Sequence, residues 1–215
     1  MNHDRVWYAA YGSNLLRARF LFYLTGGSYA KGHHEHVGAR DRREPGTEAP
    51  LIQGPWQLCF GQSSSRWGGA VAFLDPEKDG DASVRCWDIT QQQFADVAAQ
   101  ENGLLPGELE IDINHLITRG QIEIGSSWYS RIVYLGEYRN KPLMTFTSSE
   151  PPNPGTPGEP YLRVIVRGLL EAERTQADQH IDRLMRAEGV VPAWTREALL
   201  GLANQETLHR RGHEY

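Results

Sequence analysis

Apolar positions along the chain fall into two spacings. Short runs rich in aromatic and β-branched residues, bounded by Gly, Pro, Ser or Asp, predict strands over Arg5–Tyr11, Pro55–Gly61, Gly68–Leu74, Ser83–Ile89, Ser130–Tyr138 and Leu143–Thr147. Steps of three and four residues predict helices over Leu15–Leu24, Gln91–Gln100, Tyr161–Glu173, Gln176–Glu188 and Arg196–Ala203. In the third of these, Leu162, Ile165, Val166, Leu169 and Leu170 form one stripe to be buried. Thr175 and Thr195 are the expected caps of the last two helices. Ala39–Pro50, charged and proline-flanked, and Ser148–Pro160, with five prolines, read as loops. Strands early and helices late predict an α+β fold on a mixed, mostly antiparallel, strongly curved sheet.

The 215 residues suit one well-buried domain, here 1–187, with 188–215 as a helical extension of it. A hydrophobic share of 40% and a charged share of 23% are those of a soluble globular protein. The net charge of −5 argues against nucleic acid as a partner, because phosphate binding draws on a basic surface. Cys59 and Cys86 both lie in apolar, strand-like stretches and read as buried thiols of a reducing compartment. No apolar run follows a basic N-terminal segment, and none reaches membrane-spanning length. The expectation is a cytoplasmic protein with no membrane contact, a monomer or homodimer.

Two places carry chemistry. Tyr8-Ala9-Ala10-Tyr11-Gly12-Ser13-Asn14-Leu15 runs from a strand into a polar turn and then a helical pattern. A turn at a helix start presents backbone N–H groups lacking intrahelical partners, a setting for a carboxylate or another anion. Gly12 allows close approach of a ligand, and Ser13 or Asn14 can cap the helix or touch that ligand. The second place is Glu101. Thr90 to Gln93 has capping-box spacing, Phe94, Val97 and Ala98 form the apolar stripe behind it, and Glu101 falls on the same stripe just before Asn102-Gly103. The spacing aims this carboxylate inward at a helix C-terminus. Burial and the helix dipole then both favour its protonated form, which suits a group exchanging protons near neutral pH. A solvated or arginine-paired Glu101 is the plain alternative.

Together these residues resemble the γ-glutamylcyclotransferase-like family. Tyr11-Gly12-Ser13-Asn14-Leu15 is similar to its signature without a substitution. Trp67-Gly68-Gly69-Ala70-Val71-Ala72-Phe73 resembles its Gly-rich strand, and Cys86-Trp87-Asp88-Ile89 with Gln100-Glu101-Asn102-Gly103 its strand and acid-bearing helix. Glu159-Pro160-Tyr161 and the amphipathic run to Gly168 resemble its third block. Asn102 departs from the pattern, in which Gly commonly follows the acid. The resemblance implies a small mixed, mostly antiparallel β-barrel flanked by helices. It implies cyclisation of a small-molecule γ-glutamyl substrate to 5-oxoproline with release of the attached amine. It makes Glu101 the general acid/base, Tyr8, Ala9, Ala10, Tyr11, Gly12, Ser13 and Asn14 the substrate-holding segment, and Tyr161 a hydroxyl donor to substrate. It implies no metal and no cofactor.

Other readings compete. A binding protein that keeps the same fold and pocket without turnover is the principal one. Ser13 or Cys86 as a nucleophile has no recognisable His-plus-acid partner set. His33-His34-Glu35-His36 is dense in ligand atoms but has no later Cys or His at recognisable zinc-site spacing, and His209 and His213, at the i, i+4 spacing of a helical pair, lie beside Arg210 and Arg211, whose charge opposes a cation; both groups read as solvated. Trp67 and Trp128, at segment starts, read as core residues ahead of pocket-lining ones. The Ser148–Pro160 loop, directly before Tyr161, is the candidate lid.

Overall fold

The computed structural model describes residues 4–29, 35–150 and 152–202. These group into two compact units, the first within Met1–Ala10, Arg17–Ile52 and Val84–Pro151, the second within Tyr11–Leu16, Gln53–Ser83 and Pro152–Tyr215. The chain is a mixed α+β protein with a mostly antiparallel sheet, as its pattern predicts.

The strands are β1 (Arg5–Ala10), β2 (Leu51–Gln53), β3 (Gln57–Ser64), β4 (Gly69–Asp75), β5 (Ser83–Thr90), β6 (Gln121–Glu123), β7 (Arg131–Tyr138) and β8 (Lys141–Thr147). The helices are α1 (Arg17–Thr25), α2 (Gln91–Glu101), α3 (Ile113–Arg119), α4 (Glu159–Ala172) and α5 (Ala177–Arg186), followed by a helical segment at 196–202. In the first unit, six strands pair in the order β2-β5-β1-β8-β7-β6. β1 runs antiparallel to β5, with Tyr8 opposite Trp87, and parallel to β8, with Tyr8 opposite Met144.

Side chains alternate across a strand, so Val6, Tyr8 and Ala10 share one face of β1. That face joins Trp87, Ile89, Met144 and Phe146 in a core closed by Phe20 and Leu24 of α1, Phe94, Val97 and Ala98 of α2, and Leu116 of α3. The Tyr8 ring stacks on Phe146 at 5.1 Å, and Phe20 stacks on Trp87 at 4.9 Å. Burying rings of this size contributes about 1.5–3 kcal/mol each. This face fixes α1 and α2 against the sheet, and with them the ends of both helices.

The capping box of α2 is present in full. Gln93 N–H donates to Thr90 Oγ1 at 3.1 Å, and Thr90 N–H donates to Gln93 Oε1 at 3.0 Å. Asn102 is the C-cap, and Gly103 turns the chain away at a φ of 72°. The 39–50 segment is ordered by side chains of α2: Asp96, with a fully buried side chain, accepts from the Arg40 N–H at 2.9 Å and pairs with its guanidinium at 3.0 Å.

In the second unit β3 and β4 form an antiparallel pair with Cys59 opposite Phe73. All five stripe residues expected of α4 are buried. Gly168 lets α4 sit directly on the Ser13–Leu15 turn, since a Cβ there would lie 2.5 Å from the Leu15 carbonyl carbon. Three expectations shift. The helix expected from Leu15 begins at Arg17, because Leu16 breaks into an extended conformation. Thr175 lies inside a 3₁₀ turn, and α5 has no side-chain cap, whereas Thr195 Oγ1 does accept from the Ala198 N–H at 3.2 Å. β2, α3 and β6 join the expected elements.

Candidate functional site

The segment leaving β1 is a single 3₁₀ turn over Ser13–Leu15. The Leu15 N–H donates to the Gly12 carbonyl at 3.0 Å and the Leu16 N–H to the Ser13 carbonyl at 3.3 Å. The extended Leu16 separates this turn from α1, so no helix dipole backs Ser13. Position 12 is instead defined by its neighbour in the second unit: a Cβ on Gly12 would stand 2.7 Å from the Tyr161 hydroxyl oxygen. That hydroxyl accepts from the Ala72 N–H at 3.2 Å. The Tyr161 ring is buried, 5.0 Å from the Trp67 ring and edge-on to Phe60 at 6.3 Å. The YGSN turn, the Gly-rich strand and the Pro-Tyr helix start therefore meet at one hydroxyl.

Main chain on main chain holds that meeting point. A Cβ on Gly69 would fall 2.6 Å from the Gly158 nitrogen, and one on Gly158 only 2.1 Å from the Trp67 carbonyl oxygen. Gly69, the second glycine after Trp67, thus lies directly against the backbone of the proline-rich segment. That segment is tied down on both strands of the hairpin: the Ala70 N–H donates to the Thr156 carbonyl at 2.8 Å and the Gly155 N–H to the Phe60 carbonyl at 2.9 Å. From Pro152 to Gly158 it is a strap, and the lid expectation gives way to these backbone bonds.

Glu101, in the first unit, ends α2 half-buried while Phe94, Val97 and Ala98 on its stripe are fully buried. The Glu101 charge acts on the Tyr23 hydroxyl of α1. Tyr23 and Arg19 lie one turn apart on α1, and Arg19 Nη2 donates to the Tyr23 hydroxyl at 3.2 Å. Arg19 Nη1 is 2.8 Å from His36 Nε2, and the His36 ring lies 4.0 Å from that of Tyr23. Burial first, and then the Glu101 charge, hold the Tyr23 phenol well above its ordinary pKa, so it stays protonated. Sequence reasoning passed over this group. Its signal was the Arg19/Tyr23 pair at helical spacing, two polar tips on an otherwise apolar face.

The remaining candidates fall elsewhere. Tyr8, Ala9 and Ala10 are all buried in the sheet, where the Ala9 carbonyl accepts from Thr145 Oγ1 at 2.8 Å. Tyr11 and Asn14 are buried, and Ser13 is half-buried. His36 is buried against Arg19, correcting its reading as solvated; His33, His34, His209 and His213 lie outside the described residues. Among the described residues no group of three or more His, Cys, Asp or Glu side chains is arranged to hold a metal ion, and no helix is long and apolar enough to cross a membrane. Trp67 packs in the core and Trp128 is 41% exposed.

No family model matches the chain. It is 34% identical over 205 residues to Histone deacetylase 5 of Arabidopsis thaliana, a match covering 83% of this chain and 30% of that protein. The chain thus spans less than a third of that relative, and the name of the whole says nothing of the matched part. Among solved structures, a gamma-glutamyl cyclotransferase aligns with a TM-score of 0.48 and 14% identity, over 94% of this chain and 99% of that one. An uncharacterized protein from Homo sapiens aligns at 0.48 and 16%, over 93% and 99%, and YkqA from Bacillus subtilis at 0.46 and 16%, over 87% and 56%.

Proposed function

We propose that this protein is a γ-glutamylcyclotransferase-type enzyme, cyclising the γ-glutamyl group of a small amino acid or amine conjugate to 5-oxoproline. Glu101 is the general acid/base. Tyr11, Gly12, Ser13 and Asn14, with Tyr161, are the substrate-holding groups, and Tyr8-Ala9-Ala10 is the strand that delivers them. The observation that carries this reading is the Tyr161 hydroxyl lying over Gly12, which joins the two ends of the family-like motif set and requires glycine there.

The substrate α-amine is protonated near neutral pH and cannot attack. The ionised Glu101 carboxylate takes one proton, and the freed amine nitrogen adds to the γ-glutamyl carbonyl carbon. The former amide C–N bond then breaks, and the proton held by Glu101 passes to the leaving nitrogen. The ring nitrogen then gives up its second proton through the same carboxylate to the departing amine, which leaves as an ammonium, and keeps one hydrogen as a lactam; no oxidant or second substrate enters the balance. Attack within one molecule gains from orientation, with effective molarities that reach about 10⁵–10⁸ M in the best-aligned cases, so holding the folded-back conformer is the main task of the site.

The test is 5-oxoproline release from a panel of γ-glutamyl amino acids and amines by wild type and Glu101→Gln. Release by wild type, reduced at least about a hundredfold in the variant, is the expected result for loss of a general acid/base. Equal release by both proteins would remove Glu101 from the role, and no release accompanied by binding would make the protein a carrier of the same ligand class.

A further inference from the structure

We infer that exposed apolar side chains around the end of α2 form the subsite for the leaving amine, so that the substrates are γ-glutamyl conjugates of apolar amines or amino acids. The inference rests on Glu101 being the acid/base, since a group that returns a proton to the departing nitrogen stands beside whatever that nitrogen carries.

Among the described residues five large hydrophobic side chains are exposed, those of Val37, Leu104, Leu105, Trp128 and Val191. Single exposed apolar residues are ordinary on a protein surface. Four of these five, however, lie on three loops of the first unit, and each loop is hydrogen-bonded to the end of α2, where Glu101 stands. The Gly38 N–H, next to Val37, donates to Gln100 Oε1 at 3.2 Å. The Leu104 N–H donates to the Ala99 carbonyl at 2.9 Å. The Ser127 hydroxyl, next to Trp128, donates to Asn102 Oδ1. Three segments remote in the chain thus bring large apolar groups to one carboxylate.

Asn102 is the position at which the sequence departs from the pattern it resembles, and its side chain makes a tie that glycine could not. Its Nδ2 donates to the Ala98 carbonyl at 2.8 Å, which fixes the amide, while its oxygen accepts from Ser127. Ser127 Oγ also accepts from the Tyr129 N–H at 3.3 Å, so the turn carrying Trp128 is closed on itself and bound to the residue after Glu101. The turn carrying Leu104 and Leu105 is held as firmly. The Leu105 N–H donates to Glu108 Oε2 at 2.7 Å, and the Gly107 N–H donates to Asp96 Oδ1 of α2 at 3.0 Å. Polar groups hold both turns while their large apolar side chains stay at solvent. An apolar surface fixed in advance takes up an apolar group without first having to order a loop. It borders a half-buried carboxylate, a combination suited to a small molecule with a polar reacting end and an apolar remainder.

The experiment measures kcat/KM for 5-oxoproline release from γ-glutamylphenylalanine, γ-glutamylleucine and γ-glutamylglycine by wild type, Trp128→Ala and Leu105→Ser. Wild type is expected to favour the phenylalanine and leucine conjugates over the glycine conjugate by at least about tenfold, the low end of what apolar contacts supply in discrimination. That ratio falls at least about threefold in one or both variants, which change exposed positions. Equal kcat/KM for the three substrates, or a ratio unaltered in both variants, would overturn the inference and leave the proposed reaction standing. Self-association of wild type that Trp128→Ala abolishes, with the substrate ratio unaltered, would give this surface to a second copy of the chain. Where wild type releases no 5-oxoproline, calorimetric binding of the same three conjugates separates the two ideas. Tighter binding of the phenylalanine conjugate, lost in Trp128→Ala, would uphold the subsite and overturn the reaction; equal or absent binding would overturn the subsite as well.

Discussion

The Tyr161 hydroxyl oxygen and Gly12 share one space: a Cβ at residue 12 would come within 2.7 Å of the oxygen but stay 3.8 Å from the ring carbon that bears it. The Tyr161 hydroxyl thus stands where a side chain at residue 12 would begin. Gly12→Ala is accordingly expected to cost about 1–3 kcal/mol in the wild type through overpacking. In a Tyr161→Phe background the same change meets an ordinary contact and costs less than about 1 kcal/mol. Urea unfolding of the four proteins measures this, and an equal cost in both backgrounds would move the strain elsewhere.

Gly168 offers a case in which two effects of opposite sign compete. Replacing an interior helix glycine by alanine gains about 1 kcal/mol of helix propensity. Here the new Cβ would lie 2.5 Å from the Leu15 carbonyl carbon and 2.6 Å from the Leu16 nitrogen, both backbone atoms that cannot swing aside. Overpacking then dominates, and Gly168→Ala is expected to lower stability by about 1–3 kcal/mol net, seen as a lower urea midpoint at unchanged slope. Since α4 rests on the Ser13–Leu15 turn, the same variant is expected to lower kcat/KM for 5-oxoproline release.

Elements with a strong repeat were legible in the chain, and those set by contact were not. The capping box at Thr90 and the α4 stripe rest on local spacing, which is written in consecutive residues. α3 escaped because only Ile113 and Leu116 of its seven residues are buried, although Asp112 before it and Gly120 after it are helix-end residues. β2 and β6, three residues each, are strands only because β5 and β7 lie beside them. At the candidate site the sequence marked Gly12, Glu101 and Tyr161. It could not show that the Tyr161 hydroxyl lies against Gly12, nor that the Glu101 charge acts on Tyr23, because each relation joins segments remote in the chain. The Ser13–Leu15 turn lacks the backing of a helix dipole for a local reason: one extended residue, Leu16, separates it from α1.

The two cysteines are buried and unpaired. Burial pushes both thiols up to about 12, helped at Cys59 by the charges of Glu188 and Asp75 and opposed at Cys86 by Arg139. The thiolate is the reactive form, so burial works against a nucleophilic role for either residue in the folded protein. A disulfide reagent at mildly alkaline pH is expected to label neither until the protein unfolds, with labelling rising in step with denaturant. Prompt reaction of one thiol in the native protein would reopen a nucleophilic role for Cys86.

His180 gives the second unit an acid-side weakness. It lies in α5, 1% exposed, on a cavity of about 30 Å³ also lined by Tyr11, Ser83, Leu169 and Arg183. Its Nε2 is 3.8 Å from the Glu173 carboxylate, beyond hydrogen-bonding distance. Burial lowers its pKa below the ordinary 6.5, the Glu173 charge opposes the shift and Arg183 adds to it. A histidine that is harder to protonate folded than unfolded adds stability that is present in full above its unfolded pKa. That stability is lost as pH falls from there towards the folded value, because the unfolded chain takes up the proton first. Wild-type Tm is expected to fall between about pH 7 and pH 5, and His180→Leu, which fits the apolar part of the lining, to fall by less over the same interval. Parallel Tm profiles for the two proteins would assign the acid sensitivity to other groups and mean that His180 takes up its proton equally in the folded and unfolded states.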